Sequence, residues 1–164
     1  MVSKKIEDAF NKQINEELFS AYLYLSMSAQ FEAMNLGGFA RWMQVQAREE
    51  TEHAMKFFKY LYDRGGQVKL AAIEGPQTEW KDALEMFEDA YKHEQKITGL
   101  IHGLADLAEK EKDRASLLFL QWFIDEQVEE EKHADEIVQT LKQIGKASHA
   151  LYMLDKHLGE RKAD

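Results

Sequence analysis

Apolar side chains recur along this chain at intervals of three and four residues, which is the period of an amphipathic α-helix. Four long segments carry the pattern: residues 4–35, 39–64, 80–110 and 114–144. A short fifth segment, residues 148–158, places Leu151, Leu154 and Leu158 at the same spacing. The pattern therefore predicts an all-α protein with four long helices and one short C-terminal helix.

The connection between the second and third helices is long for a small protein. Residues 65–79 contain Gly75 and Pro76 and show no helical period. Fully extended, a stretch of about fifteen residues spans about 50 Å, whereas a helix of about 26 residues is about 39 Å long. Such a crossover can set the second and third helices parallel, in a four-helix bundle of the up-down-down-up kind. We expect one domain over residues 1–164, with the bundle at about 4–144 and the terminal helix at about 148–158.

Composition agrees with this fold and excludes several functions. Hydrophobic residues make up 45% of the chain and charged residues 31%, which is typical of a folded protein. The net charge of −9 argues against a nucleic-acid partner, because phosphate binding needs a basic surface. The chain contains no cysteine, which excludes disulfides, iron–sulfur clusters and thiolate metal sites. No apolar run approaches the roughly 20 residues of a membrane helix, so we expect no membrane partner and a cytoplasmic location.

Each long helix interrupts its apolar face with polar residues near its midpoint. These residues are Glu17 in the first helix, Glu50 and His53 in the second, Glu94 in the third, and Gln127 and Glu130 in the fourth. Within each hairpin the polar groups are about equidistant from the turn, so all of them should meet at one level of the bundle. The spacing also repeats, because 33 residues separate Glu17 from Glu50 and 33 separate Glu94 from Gln127.

Four buried carboxylates at one level require compensation. Ionised and unpaired, they would suffer severe desolvation and mutual repulsion, so they must be protonated, paired with cations or bound to metal. No Lys or Arg lies on these helix faces near that level, which favours metal. Carboxylate oxygens with one imidazole suit iron, manganese or zinc better than calcium, and the lack of thiolates fits a redox-active iron pair. Glu50 and His53, at i and i+3, share one helix face, and Glu50 is placed to bridge two ions.

This layout resembles the ferritin family, whose bundles bind two irons with Glu and Glu-x-x-His ligands. The resemblance covers essentially the whole chain, and within the family it is closest to the haem-free bacterial ferritins. It is carried by residues 15–18, Tyr24, Glu49, Glu50, His53, and residues 91–94, 120–122, 126–127 and 129–132.

The resemblance implies specific roles. A first ferroxidase iron would be held by Glu17, Glu50 and His53, and a second by Glu50, Glu94 and Glu130. A third, adjacent iron site would use Glu49, Glu126, Glu129 and Glu130. Gln127 would be a weak ligand or an outer hydrogen-bond donor. Tyr24 would donate an electron or a hydrogen bond during oxygen reduction, although a tyrosine at this spacing also fits a plain core position.

Departures from related families narrow the expected chemistry. A bacterioferritin would carry Glu-x-x-His in the fourth helix and a haem-ligating Met beside the first His, where this chain has Gln127, Glu130 and Glu52. These differences argue against haem and against a permanently occupied, symmetric di-iron cofactor. Glu130 and His133 also form a Glu-x-x-His, but His133 lies off the apolar face and we do not expect it to be a ligand.

Three functions remain open. The resemblance favours an iron-storage ferritin that oxidises Fe²⁺ with dioxygen or hydrogen peroxide and deposits a ferric mineral inside a homo-oligomeric shell of about 24 subunits. A di-iron peroxide- or oxygen-reducing enzyme without mineral storage is the alternative, and a metal-free helical assembly protein is the third. A closed bundle has no internal place for the leucines of the fifth helix, so we expect them to bury against other subunits. His93, His102, His149 and His157 are expected to be surface or interface residues.

Overall fold

Five α-helices account for most of residues 1–162, the part of the chain that the computed structural model describes. They are α1 (Lys4–Ala33), α2 (Gly37–Asp63), α3 (Ala83–Lys110), α4 (Arg114–Ile144) and α5 (Ser148–Leu158). Residues 1–162 contain no strand. The predicted all-α bundle with a short C-terminal helix is thus confirmed. None of these helices is long and apolar enough to cross a membrane.

Three of the five helices begin at an N-cap residue whose side chain accepts a hydrogen bond. Ser3 caps α1, Asp82 caps α3 and Asp113 caps α4, each accepting a hydrogen bond from a backbone N–H in the first turn. The cap at Asp82 explains why α3 begins three residues later than the sequence pattern predicts. Trp80 precedes the helix, where the Gln30 side chain accepts from its N–H at 2.8 Å and donates to its carbonyl at 2.7 Å.

The helices run in the predicted up-down-down-up order. Helices α1 and α3 are antiparallel. Lys5, near the start of α1, pairs with Glu111 just after α3, and Gln30, near the end of α1, pairs with Trp80 just before α3. Because α2 also runs antiparallel to α1 across the short turn at residues 34–36, α2 and α3 are parallel. The crossover at residues 64–82 makes this arrangement possible.

Polar side chains of α1 hold the crossover in an extended path. These side chains are Glu7, Asn11, Asn15, Ser26 and Gln30. Asn11 donates to the carbonyl of Gln67 at 2.9 Å and accepts from the N–H of Lys69 at 2.7 Å. Since the crossover has no secondary structure of its own, the side chains of α1 supply partners for its backbone groups.

The apolar core consists of two parts, one toward each end of the bundle. One part includes Phe31, Phe39 and Phe87, and the other includes Phe10 and Phe57. In every one of the four long helices, the sequence between the two parts contains buried polar residues. These residues include Glu17 and Ser20 in α1, Glu50 and His53 in α2, His93 and Glu94 in α3, and Gln127 and Glu130 in α4. A polar layer therefore crosses the middle of the bundle.

Helix α5 packs against the end of the same chain's bundle. Leu158 is buried there, and Leu151 and Leu154 are partly buried against the core. The Asp155 carboxylate accepts hydrogen bonds from the N–H groups of Gly38 (2.8 Å) and Phe39 (3.0 Å), and so caps α2 from outside that helix. The expectation that these leucines bury against other subunits is therefore wrong for Leu158, because the end of the bundle offers it a place that the period of α5 alone does not reveal.

Candidate metal centre

Four buried glutamates and one histidine occupy the polar layer. Glu17, Glu50, His53, Glu94 and Glu130 come from all four long helices, and each is at most 4% exposed. The helical period explains their meeting, since each lies on the inward face of its helix at the level where the two parts of the core leave a gap. The structure thus brings together the five residues that the sequence selects as ligands of two irons.

The five residues form two groups that share Glu50. In one group, ligand atoms of Glu17, Glu50 and His53 all lie within 4.8 Å of one another. In the other, the same holds for Glu50, Glu94 and Glu130. The first group offers carboxylate oxygens and one imidazole, and the second offers carboxylate oxygens alone; iron, manganese and zinc accept donors of both kinds. Their identity as ligands stays a prediction.

The third predicted iron site is only partly brought together. Glu126 and Glu130 lie within 4.8 Å of His53 and form a third group with it. Glu129 is exposed, and Glu49 contacts the guanidinium of Arg161. Among residues 1–162, neither Glu49 nor Glu129 joins a group of three possible ligands at this distance. His133, which we did not expect to be a ligand, is exposed and joins none of these groups either.

Glutamine side chains donate hydrogen bonds to the carboxylates of the layer. Gln13 donates to Glu17 at 2.8 Å, and Gln46 donates to both Glu50 (3.0 Å) and Glu130 (2.7 Å). Sequence reasoning assigned no role to Gln13 or Gln46. The pattern that could have found them is the repeated Gln-x-x-x-Glu in α1 and α2, because residues at i and i+4 share a helix face.

Two of the predicted functional residues donate hydrogen bonds to the Glu94 carboxylate. The Tyr24 hydroxyl donates to Glu94 Oε1, and Gln127 Nε2 donates to Glu94 Oε2 at 3.1 Å. Gln127 therefore takes the geometry of an outer hydrogen-bond donor in this structure. Burial and the neighbouring carboxylate of Glu94 raise the pKa of Tyr24 well above its usual value, which keeps the phenol protonated.

Glu17 Oε2 is buried and has no hydrogen-bond partner among residues 1–162. Its other oxygen accepts from Gln13. A buried carboxylate oxygen without a donor is costly unless a proton or a cation compensates it. Like the other carboxylates of the layer, this oxygen requires a proton or a cation, and a metal ion would meet that requirement.

Burial raises the pKa of every glutamate in the layer. It raises the pKa of Glu17 and of Glu130 to about 8, with the charges of Glu50 and Glu94, respectively, as the next cause. Burial likewise raises the pKa of Glu94 to about 7, and that of Glu50 well above its usual value. Without a metal, the layer therefore holds protons near neutral pH. A cation that binds here must displace them.

We expect the metal-free protein to lose stability as pH rises from about 5 to about 8. Glu17, Glu94 and Glu130 have pKa values of about 7 to 8 in the folded protein against 4.5 for an ordinary glutamate. The folded state holds more protons than the unfolded state in this window, so stability falls by about 1.4 kcal/mol per pH unit for each extra proton.

Urea denaturation of the metal-free protein across this pH range is the measurement. The Glu17→Gln variant should show a shallower slope, because its amide does not ionise. Zn²⁺ should restore stability at the alkaline end, since the metal replaces the protons. Stability that is constant or rises over the same range would contradict the prediction.

His93 lies inside the bundle next to the layer. Its Nε2 is 2.7 Å from Ser20 Oγ, and its ring makes an edge contact with Tyr24. Burial lowers the pKa of His93 to about 4, so the imidazole is neutral. The expectation that His93 is a surface or interface residue is wrong, because α3 turns both His93 and Glu94 toward α1.

Known proteins resemble this chain over its full length. A family model described as Ferritin-like domain matches residues 7–144. The chain is 41% identical to a bacterial non-heme ferritin of Staphylococcus saprophyticus, over 100% of this chain and 98% of that protein. It is 38% identical to a bacterial non-heme ferritin of Staphylococcus aureus, over 100% of this chain and 99% of that protein.

Solved structures also resemble this chain over its full length. A closed form of the Archaeoglobus fulgidus ferritin, engineered by site-directed mutagenesis, has a TM-score of 0.99 at 49% identity, with 100% of each chain covered. An open-pore ferritin from the same hyperthermophilic archaeon has a TM-score of 0.97 at 50% identity, with 98% of each chain covered. The similarity includes the crossover and α5 as well as the four long helices.

Proposed function

The chain belongs to the ferritin family, and on this basis we propose that it is an iron-storage protein that oxidises Fe²⁺ to Fe³⁺ at the buried polar layer. The resemblance inferred from the sequence is confirmed by the family-model match over residues 7–144 and by a relative that aligns over the whole chain. One observation carries the ferroxidase proposal: two groups of buried ligand atoms share Glu50 at the centre of the bundle. Such a pair of groups suits two Fe²⁺ ions that react together.

In the proposed reaction, Fe²⁺ is the substrate and the side chains hold it. Glu17 and His53 bind one ion, Glu94 and Glu130 bind the other, and Glu50 bridges both. Each ion gives up one electron. Dioxygen takes up two electrons and two protons to become hydrogen peroxide, or peroxide takes up the same number to become two waters. The glutamate protons that Fe²⁺ displaces are available for this reduction, since burial keeps them in place until a cation arrives.

Tyr24 and Gln127 act on this centre through Glu94. Both donate hydrogen bonds to its carboxylate, which fixes the orientation in which the oxygens face the second ion. Tyr24, which is hydrogen-bonded to Glu94, is also proposed to supply an electron when only one iron of the pair has been oxidised. Glu49, Glu126 and Glu129 are proposed to bind iron that leaves or joins the pair, and their acidic charge favours cations there.

The proposal includes no haem, and the iron pair is turned over, not kept as a permanent cofactor. Gln127 and Glu130 stand where a symmetric centre would carry a second Glu and His, so the second group has no imidazole, and the two groups are expected to bind iron unequally. We further propose that copies of the chain form a hollow shell of about 24 subunits, in the cytoplasm, with the ferric mineral inside.

The proposed function is tested by loading the protein with Fe²⁺ in air. Size-exclusion chromatography and electron microscopy should find a hollow assembly of about 24 subunits with an electron-dense core. Oxygen consumption should depend on the amount of protein, and the ratio of Fe²⁺ to O₂ consumed identifies the product of oxygen reduction. A monomer or dimer that oxidises iron without retaining it would contradict storage and favour the peroxide- or oxygen-reducing enzyme.

A further inference from the structure

The segment after α5 returns to the metal centre and places a cation beside it. The guanidinium carbon of Arg161 lies 4.3 Å from the centre of the Trp42 ring. One of its nitrogens donates to Gln46 Oε1 at 2.9 Å, and the other contacts the Glu49 carboxylate. The Arg161 side chain is 18% exposed, so these interactions take place largely out of solvent. Arg161 thus joins the C-terminal segment to α2 at the level of the polar layer.

The contact with Arg161 determines which way the Gln46 amide points. A guanidinium has donors only, so the group that it approaches must be the amide oxygen. The amide nitrogen then faces the opposite direction, where its two N–H groups meet Glu50 Oε1 and Glu130 Oε2. Gln46 is 1% exposed, and water therefore does not substitute for these partners. Every hydrogen-bonding group of this side chain is engaged.

We propose that Arg161 is a positioning residue of the metal centre, which acts through Gln46 on Glu50 and Glu130. The inference rests on the proposed binding of two metal ions at the layer. The Gln46 amide holds one oxygen of each glutamate, Oε1 of Glu50 and Oε2 of Glu130, and so fixes how the two carboxylates face the site. The C-terminal segment is in this way part of the site, although none of its described residues, 159–162, belongs to a ligand group.

Removal of the guanidinium leaves the Gln46 oxygen without its donor. The amide can then turn over, and its oxygen would face two carboxylates that it can only repel when they are ionised. Loss of a partner that orients a metal ligand typically costs 10- to 100-fold in affinity. Glu50 and Glu130 both belong to the group that includes Glu94, whereas the group of Glu17, Glu50 and His53 contains only Glu50 of the two. One of two metal sites should therefore weaken more than the other.

The test compares Arg161→Met with Lys162→Met. Methionine preserves the length and apolar contact of the arginine stem and removes its donors. Lys162 is exposed, carries the same charge as Arg161, and lines with it one cavity of about 450 Å³. It is therefore a matched control. The probe is Co²⁺ alone, titrated without oxygen and followed by calorimetry and by its visible absorption.

Wild type and Lys162→Met should bind two Co²⁺ per subunit, and Arg161→Met should bind one of them at least about 10-fold more weakly, with an altered absorption spectrum. Equal binding by all three proteins would overturn the inference and leave the proposed function standing. A wild-type protein that binds no Co²⁺ would overturn both. Thermal unfolding and native mass must match between the two variants.

A double-mutant cycle identifies the route of the effect. Gln46→Met lies within α2 and does not involve the C-terminal segment, so it should weaken Co²⁺ binding at the same site even if Arg161→Met disturbs α5. If Arg161 acts through Gln46, the variant with both substitutions should bind Co²⁺ no more weakly than Gln46→Met alone. Losses that multiply would show that Arg161 acts independently of Gln46, and would overturn the inference.

Discussion

Replacement of Glu50 and His53 together by alanine is expected to abolish rapid oxidation of Fe²⁺ while the assembly persists. Glu50 belongs to both ligand groups of the layer, and His53 supplies the imidazole of one of them. Without these two side chains, one group keeps only Glu17 and the other keeps only Glu94 and Glu130. Two ions are then no longer held next to each other. We expect the initial oxidation rate to fall at least about 100-fold.

The proposed assembly should survive because both side chains lie inside the bundle, at 2% and 3% exposed, and do not reach the surface of the subunit. The two alanines leave cavities, which lowers stability, but the substitution also removes a carboxyl group whose burial is costly. The two effects on stability therefore oppose each other. Native mass and circular dichroism measure the assembly and the fold, and stopped-flow absorbance measures the oxidation.

Glu52→Ala with His102→Ala is the matched control for this variant, because it removes the same two side-chain types from exposed positions. It should oxidise Fe²⁺ at the wild-type rate. Unchanged oxidation in the Glu50 and His53 variant would refute the assignment of the centre. Loss of oxidation in both variants would also contradict it, because the effect would then depend on the loss of charged side chains in general and not on their place inside the bundle.

The second large effect is expected at Gly38, where α2 meets α5. A Cβ atom at Gly38 would lie 1.6 Å from the carbonyl oxygen of Asp155, and backbone atoms cannot move aside as a flexible side chain can. Gly38→Ala must therefore push α5 away from the bundle. The push also breaks the hydrogen bonds from Gly38 and Phe39 to the Asp155 carboxylate and exposes Leu158.

Overpacking of this kind typically costs 1–3 kcal/mol, and the loss of a helix cap adds about 1 kcal/mol. Gly37→Ala provides a matched control, because a Cβ at Gly37 meets no atom within 4 Å. That neighbouring substitution should be neutral or slightly stabilising, since alanine favours the helix. Thermal unfolding compares the two, and hydrogen exchange of α5 locates the change. Equal stability of the two variants would contradict the prediction.

The four long helices were predictable because their information is local. The apolar period ends where α1, α2 and α4 end, within two residues of the observed bounds. The start of α3 differs because it depends on a cap at Asp82, which a search for apolar period does not weigh. The docking of α5 depends on Gly38 and Asp155, which lie far apart in the chain and show no pattern that links them.

The centre was predictable for the same reason, and its surroundings were not. Glu17, Glu50 and Glu94 interrupt apolar faces, so their burial follows from position alone. The burial of His93 was not predictable in this way. It depends on Ser20, a residue of another helix, which satisfies one nitrogen of the imidazole by a hydrogen bond. Arg161 lies beyond the last helix, where no period assigns it a face, and only the folded chain brings it to Gln46.

The division of the core by a polar layer has a consequence for how the protein unfolds. Each long helix passes through both apolar parts, and without cations the layer between them consists of protonated carboxyls and amide hydrogen bonds. In the proposed centre, one ion joins α1 to α2, the other joins α2 to α3 and α4, and Glu50 links the two, so neither part could separate without breaking those bonds. Iron in transit is then a temporary cross-link, and the cooperativity of unfolding should rise and fall with the iron that occupies the centre.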